Sequence, residues 1–120
     1  MPIRIPIQSV QSWLIDCPPE QAFVCIDGQR AISLKELVKM LERMDQQHYD
    51  YHVTRKKNDF ANWVQGVFKD GHLAANFRSA RSKKETYQYA KRHFLMLERN
   101  LRDFRNRQDR RKQRQSRNRD

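Results

Sequence analysis

The stretch SKKETYQYAKRHFLMLERNLRDFRNRQDRRKQRQSRNRD, residues 82–120, decides how this chain is built. Its first part places Tyr87, Ala90, Phe94, Leu97, Leu101 and Phe104 at steps of 3, 4, 3, 4 and 3. Such a heptad seam is the apolar edge of a continuous helix. Ser82 and Glu85 frame its start as a capping box. After Phe104 the seam stops. Residues 105–120 contain no apolar side chain, so nothing there can be buried. The pattern predicts one long helix that docks through its seam, then frays into solvent unless a ligand holds it.

Charge divides the chain at the same place. Residues 1–80 hold 10 Lys+Arg and 9 Asp+Glu, a net +1, and residues 81–120 hold 15 and 5, a net +10. Together they make the +11 of the whole. The reading is a near-neutral body, residues 1–80, followed by a basic helix, residues 81–120. A concentrated positive potential points to a polyanionic partner, because it gathers phosphates locally.

Outward from this helix, the body reads as mainly helical. Pro6, Pro18 and Pro19 predict an irregular or extended stretch over residues 1–20. The apolar run Ala22-Phe23-Val24-Cys25-Ile26 ends in Asp27-Gly28, a tight-turn signal, with a short return through Arg30-Ala31-Ile32. Ser33 and Glu36 make a first capping box. Behind it Leu34, Leu37, Val38, Leu41 and Met44 form one buried stripe that ends near Gln46. The segment His48–Val53 has no clear period and reads as a helical turn or a packed loop. Asn58 or Asp59 caps the next helix, whose stripe is Phe60, Trp63, Val64, Val67 and Phe68. Leu73, Ala74 and Phe77 predict a further short helix. The expected fold is mainly α (α+β at most): three to four helices, a short N-terminal β element and a long basic C-terminal helix.

Phe23, Asp27-Gly28, Ile32, Ser33-Leu34, Glu36-Leu37, Leu41, Met44, His52-Val53, Asn58-Asp59-Phe60, Trp63, Val67-Phe68 and Leu73-Ala74 resemble the pattern of an uncharacterised small-domain family of archaeal and bacterial proteins. The resemblance covers roughly residues 21–77. It implies a further helix after that segment and no assigned chemistry. The basic end departs from such domains.

Between Arg102 and Arg119 arginine outnumbers lysine eight to one, interleaved with Asn and Gln. By composition this is similar to the arginine-rich peptides that fold into a helix on structured RNA. Guanidinium groups fork onto phosphate, stack on bases and keep their charge. Asn and Gln amides can bond base edges. A plain solubilising arm is the competing reading. The candidate nucleic-acid contacts are Arg105, Arg107, Arg110, Arg111, Lys112, Arg114, Arg117 and Arg119, with Lys83, Lys84, Lys91 and Arg92 extending the face. RNA, on or off the ribosome, is expected ahead of nucleoid DNA.

The rival class is a protein–protein adaptor that docks an acidic partner or pairs with a second copy through the seam. Intramolecular docking of the seam is favoured over a dimer. A zipper would also place its basic region before the heptads, not after them. Catalysis is not expected, since no Gly-rich phosphate loop or nucleophile motif occurs. No small-molecule substrate and no cofactor are assigned. A metal set drawn from Cys17, Cys25, His48 and His52 has a fitting His-x-x-x-His step, but its cysteines are too far apart for a zinc knuckle, so no metal is assigned. His72 and His93 read as surface or amphipathic positions. The start Met1–Ile7 lacks a leader's apolar run, and no window suits a membrane span, so the expected address is the cytoplasm.

Overall fold

The computed structural model describes residues 5–117. The chain runs α1 (Ile7–Leu14), a single 3-10 turn (Pro19–Gln21), β1 (Phe23–Val24), β2 (Arg30–Ala31), α2 (Leu34–Arg43), α3 (Gln46–His52), α4 (Asp59–Phe68), α5 (Gly71–Ser79) and α6 (Lys83–Arg117). The fold is mainly α with a two-strand N-terminal sheet and a long C-terminal helix, as the periodicity implies.

Helix α1 corrects the expectation of an irregular first twenty residues. Pro6 stands at its N-cap and Pro18 lies beyond its end. A proline flanking a helix leaves its hydrogen bonds intact. Val10 and Trp13 are buried and Ile7 and Leu14 half-buried, which is an apolar face at steps of three and four. The antiparallel hairpin pairs Phe23 with Ala31 and Val24 with Arg30. Gly28 turns it at φ 92°, a conformation that side chains with a Cβ rarely adopt.

Both capping boxes form. The Ser33 hydroxyl accepts from Glu36 N–H at 3.1 Å and the Ser82 hydroxyl from Glu85 N–H at 3.1 Å. The returning carboxylates overshoot by one residue. Glu36 takes the N–H of Ile32 and Glu85 that of Arg81. Helix α2 ends at Arg43, earlier than expected, because Asp45 opens α3 at once. Phe23 stacks on Phe60 with centroids 4.8 Å apart, and Tyr49 lies on the same ring at 5.8 Å. Phe77 meets it edge-on. Trp63 donates its indole N–H to the Gln21 carbonyl at 2.8 Å, which fastens the pre-hairpin turn to α4.

Helix α6 packs against α1, α2 and α5. Its most buried residues are Thr86, Ala90, His93 and Leu97. Ala90 and Leu97 belong to the expected seam, while Tyr87, Phe94, Leu101 and Phe104 are half-buried along its edges. Thr86 and His93 were not read as buried positions. The Tyr49 hydroxyl bonds Thr86 Oγ1 at 2.7 Å and so ties α3 to α6. His93 Nε2 meets Asp70 Oδ2 at 2.6 Å, with both side chains buried. This overturns the reading of His93 as a surface residue. Asp70 also caps α5, accepting from Leu73 N–H at 3.0 Å, so one carboxylate joins the start of α5 to the docked half of α6.

Candidate nucleic-acid interface

Helix α6 continues past Phe104 to Arg117 without a break. Two physical reasons allow it. The docked turns have already met the cost of nucleation, so each added residue brings one hydrogen bond. Arg, Lys and Gln are also good helix formers, and the segment has no Gly or Pro. The projecting end spans about 20 Å at 1.5 Å per residue. It stretches the molecule to 65 × 34 × 23 Å and its radius of gyration to 17.2 Å, above the ~14 Å of a compact chain this long.

Arg105, Arg107, Arg110, Arg111, Lys112, Arg114 and Arg117 are all exposed. Against these seven cations stands Asp109 alone, a net +6 over residues 105–117. Among the described residues no ion pair involves this stretch. At roughly 100° per residue, Arg107, Arg110, Arg111, Arg114 and Arg117 fall within an arc of about 120°, with Arg105 and Lys112 on the other side. The cations therefore occupy two opposite faces of the helix, five on one and two on the other. Arg119 lies outside the described residues.

The auxiliary residues separate. Lys84, Lys91 and Arg92 are exposed, with the Lys91 ammonium near the Tyr87 ring at 5.7 Å. Lys83 is taken by the fold: its ammonium donates to the Met44 carbonyl at 2.6 Å, at the end of α2. This contact engages the ammonium that the sequence places on the basic face. Arg99 was missed. It is exposed, seven residues after Arg92 and 18 before Arg117. Since 18 residues make five turns, Arg92, Arg99, Arg110 and Arg117 line one edge about 37 Å long. Spacings of 7 and 18 are the signal that finds it.

The body holds two further polar clusters. His52 is buried; its Nε2 accepts from Ile26 N–H at 3.1 Å, so Nδ1 carries the proton and donates to Asp59 Oδ2 at 2.9 Å. Burial pushes the Asp59 carboxyl up, but the His52 and Lys57 hydrogen bonds outweigh it and leave it below the usual range. The Asn58-Asp59 segment thereby gains a role beyond capping, as the clamp on the hairpin. The second cluster brings Cys25, Asp27 and His48 together, with one ligating atom from each within 4.8 Å of the others. Cys17 and His52 are not part of it. Burial raises the thiols of both Cys17 and Cys25.

No helix among the described residues is long and apolar enough to cross a membrane. No family model matches the chain, and no curated protein or solved structure matches it. The functional reading therefore rests on these residues alone.

Proposed function

We propose that this protein is a nucleic-acid-binding accessory protein, taking RNA ahead of DNA, with phosphate contact made by the exposed half of α6. The observation that carries this reading is the run of seven exposed cations on residues 105–117, none of them in an ion pair among the described residues. A rigid helix fixes their spacing in advance, which lowers the ordering cost of binding. Cations on two opposite faces suit a helix enclosed between two phosphate walls better than one lying on a flat acidic face. The arginine bias and the interleaved Asn106, Gln108, Gln113 and Gln115 favour RNA, where unpaired bases offer stacking faces and open edges.

The seam Tyr87, Ala90, Phe94, Leu97, Leu101 and Phe104 bears on the adaptor reading. Its centre is occupied by the chain's own α1, α2 and α5. Pairing through that surface would require undocking, so a homodimer through the seam loses ground. An acidic protein partner on the arm is the reading that competes. Competition between a hairpin RNA with an internal bulge and a duplex DNA of equal charge tests the proposal. The hairpin is expected to displace the duplex. Equal displacement removes the RNA preference. Binding to neither at low salt removes nucleic acid and leaves the acidic-protein adaptor.

A further inference from the structure

We propose that Cys25, Asp27 and His48 form a binding site for a zinc-like divalent transition metal ion. The site shares no residue with the basic arm, so its argument stands apart from the nucleic-acid reading. It begins in the hairpin turn. Cys25 N–H donates to the Gln29 carbonyl at 2.8 Å, Gly28 N–H to the Cys25 carbonyl at 2.9 Å, and Gln29 N–H to Asp27 Oδ1 at 3.0 Å. These three bonds hold Cys25 and Asp27 as a fixed Cys-x-Asp pair. They engage Asp27 Oδ1, and the Cys25 thiol turns toward the same carboxylate.

His48 arrives from the first turn of α3. Its Nδ1 lies 3.8 Å from Asp27 Oδ2 and 3.9 Å from Oδ2 of Asp45. Both distances are too long for hydrogen bonds. They lie close to the ligand-to-ligand spacing of about 3.4–3.7 Å that follows from metal bonds of about 2.0–2.3 Å in a tetrahedron. Asp45, with no side-chain cap bond to α3, stands beside His48 but outside the set of three, which leaves the fourth position to water. The four residues open on one hollow of about 230 Å³, walled also by Gln29, Met40, Arg43 and Met44. That is room for the ion and a bound water.

The donor set selects the metal class. Sulfur, imidazole nitrogen and carboxylate oxygen together suit Zn²⁺ or Co²⁺, whereas Mg²⁺ and Ca²⁺ take oxygen ligands. Charge also balances. Asp27, Asp45 and a Cys25 thiolate supply three negative charges, which Arg43 and a divalent ion offset. The thiol proton leaves to solvent as the metal binds. The set Cys17, Cys25, His48 and His52 that the sequence offers contains two of the three ligands and misses the third, a turn aspartate.

Cobalt(II) titration of the reduced, chelator-treated full chain tests it. The expected result is visible tetrahedral d–d bands with a near-ultraviolet thiolate-to-cobalt charge-transfer band, both bleached by Zn²⁺. Cys25→Ser should abolish the charge-transfer band. His48→Asn should weaken binding by about tenfold or more. Cys17→Ser should change neither. His48 is a third exposed, so its variant keeps the test alive if Cys25→Ser fails to fold, as checked by circular dichroism. No charge-transfer band at millimolar cobalt, or a band retained in Cys25→Ser, overturns the proposal. The cluster is then a turn in which His48 only neighbours two carboxylates.

Discussion

Residues 83–104 and 105–117 of α6 belong to one uninterrupted helix, yet different physics holds each half. In the first, Ala90 and Leu97 are fully buried and His93 is bonded to a buried carboxylate. In the second, almost every side chain is exposed and most of the charge has one sign. The docked half is held by burial. The projecting half is held by propagation from it, against the mutual repulsion of its cations. Secondary structure alone therefore says nothing about what a helix is for. Burial and charge separate the half that builds the domain from the half left open to solvent.

The sharpest way to break this comparison is to empty the docked half. Leu97→Ala should cost about 3 kcal/mol of unfolding free energy by urea denaturation. Any single Arg→Ala change between Arg105 and Arg117 should stay within about 0.5 kcal/mol. Equal costs in the two halves would erase the distinction. The next effect is polar. Asp70→Ala removes the α5 cap and leaves His93 without its partner, which should cost about 2 kcal/mol. A near-neutral result would mean that the pair adds nothing to docking.

Acid sharpens the contrast further. Asp59 has a depressed carboxyl, so its contribution is intact above about pH 4, the unfolded value, and is lost as pH falls through its lower native value. The body should lose stability there, and Asp59→Asn, weaker at neutral pH, should show a flatter acid limb in pH-dependent thermal melts. The arginines of the arm keep their charge over the same range. A melt profile identical in the two proteins would remove the His52–Asp59 clamp from the account.

What the sequence carried about this fold was local. The stripes of α2 and α4, the Asp27-Gly28 turn and the serine caps each lie within a few residues, and each formed. The arm is legible in part: the apolar seam stops at Phe104, but the helix runs on to Arg117 where fraying is expected. What escaped was non-local or rested on a misweighted signal. His93 finds Asp70 from 23 residues away, and Lys83 finds the Met44 carbonyl from 39. No spacing rule reaches that far. Helix α1 escaped because prolines that flank a helix were read as forbidding one. Arg99 escaped because the basic face was drawn over Lys83 to Arg92 and again from Arg105 onward, without the 7- and 18-residue spacings that join the two.

The most direct test is a salt titration of binding to hairpin RNA, comparing the full chain with one ending at Phe104. The full chain should show a slope of log K against log salt of about −4 to −5, as on the order of five or more neutralised phosphates require. The shortened chain should fold with unchanged stability and lose most of that slope and affinity. A shortened chain that binds as tightly as the full one, with the same slope, would contradict the account and move the interface off the arm.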